Sequence, residues 1–148
     1  MFDKLLTLFK NDKADDEAPH TPATNLAVAA ILVEAARADE NYTADEQRII
    51  DATLRDQFDL SDADAETLRA EAEEAQAAAV DLHKFTKVAK EMAEPDKIRL
   101  VETLWRIVLS DGARDQYEDA LIRRLCGLIY VDDRASGEAR QRVEAEQG

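Results

Sequence analysis

The chain has 148 residues, 45% of them hydrophobic and 5% aromatic, and its 19 basic residues against 33 acidic ones leave a net charge of −14. That length fits one domain, the acidic surface repels nucleic acid and anionic lipid over most of its area, and a lone cysteine, Cys126, excludes an intrachain disulfide. Only 4 glycines and 3 prolines break the chain, which points to an all-helical protein with a core of Leu, Ile, Val and Ala.

Residues 1–10 read as a short amphipathic segment. Phe2, Leu5, Leu6 and Phe9 fall at helical spacing, with Asp3, Lys4, Thr7 and Lys10 opposite them. Three fates are open to it: docking on the body, which is the default, binding a protein partner, or peripheral contact with a membrane surface. Residues 11–24 form an acidic linker carrying Pro19 and Pro22.

The first helix is expected from about Asn25 to Ala38. Leu26, Val28, Ile31, Leu32 and Val33 make it apolar nearly all round, so it is central; Glu34 and Arg37 are its charges. Thr43-Ala44-Asp45-Glu46 is a capping box that starts a second helix, with Ile49, Ile50, Leu54 and Phe58 inward and an Asp51–Arg55 pair outside. Ser61 opens a third, alanine- and glutamate-rich helix whose thin stripe of Ala65, Leu68, Ala72, Ala75 and Ala79 marks it as an outer element. Asp81 begins a fourth, with Leu82, Phe85, Val88, Ala89 and Met92 on one face; His83 beside them reads as structural. Pro95 suits the start of a fifth helix, in which Leu100, Val101, Leu104, Trp105, Ile107 and Val108 are apolar and should pack on the first. Asp115-Gln116-Tyr117-Glu118 caps a sixth helix running to about Tyr130. Residues 132–148 read as a charged tail with little to bury.

Two stretches share one layout. Asp39 and Asp111 are 72 residues apart, as are Glu46 and Glu118, Val28 and Leu100, Leu32 and Leu104, Ile50 and Ile122, and Phe58 and Tyr130. A fixed offset implies a repeated unit, here a helix–turn–helix unit present twice. The expected architecture is a single-domain helical bundle with an internal pseudo-two-fold repeat. The same offset places Glu34 and Arg106 at equivalent positions, where they could meet.

The chain carries no phosphate-binding glycine loop, no HExxH, no paired-cysteine motif and no serine triad in a familiar context, so no enzyme activity is expected. What remains are the acidic turns. Asp39, Asn41, Thr43 and Glu46 offer oxygen donors in the first copy, and Asp111, Asp115 and Glu118 in the second, with Glu34 as a possible additional ligand. Oxygen donors suit a hard divalent cation such as calcium, magnesium or manganese. Helix capping alone also explains Glu46 and Glu118. Asp39 and Asp111 sit where a helix C-terminus disfavours an anion.

Leu32 to Asp39 with Glu46, the middle block Val80-Asp81-Leu82-His83-Lys84-Phe85-Thr86, and Leu104 to Gly112 with Tyr117-Glu118 and Leu121 to Arg124 together resemble the TerB-like tellurite-resistance family. The resemblance covers about residues 24–131. It implies an all-α fold with internal pseudo-symmetry, related to the N-terminal domain of the membrane-anchored DjlA co-chaperones. It also implies a role in resistance to tellurite and other stresses, and metal binding at Asp39, Glu46, Asp111 and Glu118. One departure stands out: the family's Asp-Gly turn is Asp39-Glu40 in the first copy, at a position where glycine often supplies a positive φ, so the resemblance does not carry the geometry of that loop.

No apolar run reaches the length of a bilayer span, and no secretory signal is recognisable at the front of the chain, so a cytoplasmic location is expected. The functional expectation is a stress module that binds a divalent cation at its acidic turns. The alternative is a metal-independent adaptor for an unknown protein partner.

Overall fold

The computed structural model describes residues 21–38, 41–110 and 116–147, with side chains in the last stretch described for 119–146. Seven helices and no strand occur among these residues: α1 (Pro22–Arg37), α2 (Ala44–Phe58), α3 (Asp62–Ala78), α4 (His83–Ala89), α5 (Glu94–Leu109), α6 (Gln116–Ile129) and α7 (Asp133–Gln147). The all-α expectation holds.

Local chemistry sets the helix starts. Thr21 accepts a hydrogen bond from the Thr24 amide at 3.0 Å, and Pro22 occupies the first turn, where its missing N–H costs nothing. The helix thus begins before Asn25 and takes in a proline that reads, in sequence, as linker. The capping box of α2 is complete: the Thr43 amide donates to Glu46 Oε1 at 2.8 Å and the Glu46 amide to Thr43 Oγ1 at 3.1 Å. Ser61 caps α3 by accepting from the Asp64 amide at 3.0 Å.

The repeat is visible in the helix bounds. Adding 72 to those of α1, 22 and 37, gives 94 and 109, the bounds of α5. Helices α2 and α6 start at 44 and 116, the same offset, but end at 58 and 129, an offset of 71. Helix α6 is one residue shorter, and the rest of the second copy follows the new register. The Leu60 amide reaches back to the Arg55 carbonyl and the Val131 amide to that of Cys126, across Asp59 at φ 55° and Tyr130 at φ 64°. Asp132 then caps α7 as Ser61 caps α3, accepting from the Ala135 amide at 2.8 Å. Tyr130, which the sequence pairs with Phe58, is therefore the counterpart of Asp59, and it is 70% exposed while Phe58 is buried. Ile129, fully buried, takes the place of Phe58.

The stretch read as a charged tail is the third helix of the second copy. Ser136 and Val143 of α7 stand where Ala65 and Ala72 stand in α3, and all four are buried. Helix α7 packs on α5 and α6 as α3 packs on α1 and α2; α1 and α5 meet as expected, and α4 lies against α1 and α6. The centre is aliphatic: Val28, Ile31, Leu32, Ile50, Leu54, Leu100, Leu104, Ile122 and Leu125 are closed off from solvent. Cys126 is a small core residue, and burial raises its thiol pKa. Arg55 pairs with Asp56 and Asp62 instead of Asp51, because Asp51 faces α3 and takes Arg69 at 2.6 Å.

Candidate functional site

The acidic turns join α1 to α2 and α5 to α6. Of the residues singled out in sequence, Asp39, Asp111 and Asp115 lie outside the described residues, as does the side chain of Glu118. The backbone places Glu118 third in α6, as Glu46 is third in α2. Glu46 itself is 4% exposed. Its Oε1 accepts from the Thr43 amide and lies 3.3 Å from the Thr43 hydroxyl. Thr43 and Glu46 thus meet at the head of α2, and the exposed Asn41 lies two residues before Thr43.

Glu34 meets α3. Gln76 Nε2 on α3 donates to Glu34 Oε1 at 2.8 Å. Glu34 also lines a cleft of about 400 Å³ with His83 and Arg124, beside the exposed Val80 and Leu128. Arg106, its repeat counterpart, does not meet it. Arg106 binds Glu146 on α7 at 2.8 Å, so each charge is satisfied by the third helix of its own copy.

A polar network that sequence reading missed braces the first turn. On one side of it, Arg37 donates to the Glu73 carbonyl at 3.1 Å and to Gln76 Oε1 at 2.6 Å. On the other side, the Tyr42 hydroxyl donates to Glu73 Oε2 at 2.6 Å. The Arg37 guanidinium lies over the Tyr42 ring, 5.2 Å from its centroid. Arg69 then joins Glu73, at 3.0 Å, to Asp51. Arg37 and Tyr42, which flank the first turn in the chain, are thereby both fixed to α3. Burial, and then the Glu73 carboxylate that accepts its proton, push the Tyr42 phenol well above the usual tyrosine range. Burial alone would lower the Arg69 pKa, but its bonds to Asp51 and Glu73 outweigh that and raise it. The contacts of Arg37 and Tyr42 with α3 span more than thirty positions, as from Tyr42 to Glu73, so no local spacing rule exposes them; Arg69–Glu73 alone has i,i+4 spacing.

A family model described as tellurite resistance protein TerB matches residues 25–141. The chain belongs to the TerB family. The match begins in the first turn of α1 and ends within α7, so this TerB-family domain takes in helix α7 that the sequence left as tail. No curated protein and no solved structure was found to match.

Whether the TerB turns suit a cation is a question of donor chemistry. Among the described residues, no group of three or more acidic, histidine or cysteine side chains comes together to hold a metal ion. Around the first turn the donors are oxygens only, and Glu46 is a buried carboxylate. The residue types at the turn fit a hard cation. Among the described residues no helix is long and apolar enough to cross a membrane.

Proposed function

We propose that this TerB-family chain is a cytoplasmic tellurite-resistance-type stress module that binds a divalent cation at its acidic turns and carries out no reaction of its own. The observation that supports this most is Glu46: a carboxylate buried to 4% exposure, bonded to Thr43 and preceded in the same turn by Asp39 and Asn41. The layout recurs 72 residues on, where Glu118 holds the same place in α6. Asp39, Asn41, Thr43 and Glu46 would hold the ion in one copy, and Asp111, Asp115 and Glu118 in the other. Calcium, magnesium or manganese fits such oxygen donors. When bound, the ion supplies positive charge against the −14 of the chain. Arg37 and Tyr42, which flank the first turn in the chain, are both bonded to α3.

Calorimetry with each of the three ions, on the wild type and on Asp39→Ala/Asp111→Ala, tests the reading. Heats present in the wild type and lost in the variant support it; equal heats in both remove the site.

A second reading, a metal-independent adaptor, rests on Val80. This apolar residue is fully exposed beside Leu128, at the mouth of the cleft that holds Glu34, His83 and Arg124. Exposed apolar side chains rimmed by polar ones mark protein-binding surfaces when they cluster. A partner captured equally well with and without chelator, and lost with Val80→Asp/Leu128→Asp, would favour this reading over the first.

A further inference from the structure

A second groove lies at the opposite end of α1 from the acidic turn. Leu26 from the start of α1, Leu60 from the α2–α3 connection and Leu68 from α3 form its floor, all three half-buried and packed on the core. Its volume is about 520 Å³. Asp64 and Glu71 on α3 give it an acidic rim. The Asn25 Oδ1 atom, from a residue that also lines it, is buried with no hydrogen-bond partner.

We propose that the groove is the seat of this chain's own residues 2–9, with Phe2, Leu5, Leu6 and Phe9 against Leu26, Leu60 and Leu68. The tether supports it. The described chain starts at Thr21, one residue before the groove residue Pro22, and the stretch from Lys10 to Thr21 spans at most about 36–40 Å when extended. Ten residues of helix are only about 15 Å long, so the segment can fold back without strain. Docking within one chain also avoids the loss of free translation that a separate partner suffers.

Charge supports the same occupant. Residues 1–10 carry Lys4 and Lys10 against Asp3, a net of +1, while the remaining residues carry 17 − 32 = −15. The lysines fall on the polar side of the segment, where they can approach Asp64 and Glu71 while the apolar side faces the leucines. An anionic membrane, the competing destination for an amphipathic segment, is repelled by the −15 body. This inference is independent of cation binding at the turns.

Paramagnetic broadening in the full chain tests it. A nitroxide is placed at Thr7→Cys in a Cys126→Ala background, and amide signals are compared before and after reduction of the label. The expected result is selective broadening at Leu26, Leu60, Leu68 and Glu71, lost when Leu5→Asp and Leu6→Asp are added. Those two changes replace none of the buried residues of α1 to α7, so the amide dispersion of the body serves as a folding control. Broadening no stronger than in the Leu5→Asp/Leu6→Asp chain would overturn the proposal. So would broadening that arises only between a labelled chain and a separate isotope-enriched one, since the occupant would then be a second copy.

Discussion

Arg106 on α5 grips Glu146 on α7 through two hydrogen bonds, Nη2 to Oε1 at 2.8 Å and Nε to Oε2 at 3.0 Å. The side chains are 33% and 51% exposed, so solvent screens the pair and its coupling should be about 0.5–1 kcal/mol. Arg106 holds the Glu146 carboxyl below the usual range. A lowered carboxyl pKa contributes stability that is present above the unfolded value, about 4.3, and is lost as pH falls through the folded value. A double-mutant cycle of Arg106→Ala and Glu146→Ala in urea should therefore show the coupling at neutral pH and lose it as pH falls through the lowered folded value. The cycle between Glu34→Ala and Arg106→Ala should be additive to within about 0.5 kcal/mol. Coupling that persists in acid, or that links Glu34 to Arg106, contradicts this arrangement.

Tyr42, at the start of the segment leading into α2, is bonded to Glu73 on α3. Tyr42→Phe removes that bond but leaves Glu73 with Arg69, so the loss should be about 1 kcal/mol. The phenol pKa is raised, by burial first and by Glu73 second. Its contribution is thus complete below the unfolded tyrosine value, about 10, and disappears as pH rises through the folded value. A spectrophotometric titration should show one phenol ionising late, together with alkaline unfolding, and that step should be missing in Tyr42→Phe. Identical titration curves for the two proteins would refute the assignment.

What the sequence made legible was local. The Thr43–Glu46 box, the Ser61 cap and the apolar faces of α1 and α5 follow from residues three or four apart, and all are present. Helix α7 was not legible because its buried stripe is Ser136, Ala139 and Val143 amid charges; burial comes from its fit to α5 and not from hydrophobicity. The 72-residue offset hid the one-residue shortening of α6, so Tyr130 was matched to Phe58. Arg69 and Glu73, on a helix that reads as solvent-facing, gave no sign that they clamp a turn in another helix pair. The acidic positions stood out as a pattern, and Glu46 is the one whose carboxylate the structure describes.

Trp105 supplies a probe of how far α7 belongs to the core. Its indole N–H donates to Ser136 Oγ at 3.1 Å in a buried site, and Arg140 lies over the ring at 5.3 Å. Ser136→Ala strands a buried donor and should cost about 1–3 kcal/mol. Urea unfolding followed by emission of this single tryptophan should show an earlier midpoint with an unchanged slope. An unmoved midpoint would mean that α7 does not seal Trp105.

Cation binding at the two turns is read most directly by titrating the isotope-labelled chain with manganese and following its amide signals. Broadening should begin at the heads of α2 and α6, over residues 42–47 and 116–119, and reverse on adding chelator. It should leave the exposed acidic side of α3, at Asp62, Glu66 and Glu74, sharp until the ion is in large excess. Broadening that starts on α3 and spreads evenly over the acidic surface would contradict a site at the turns.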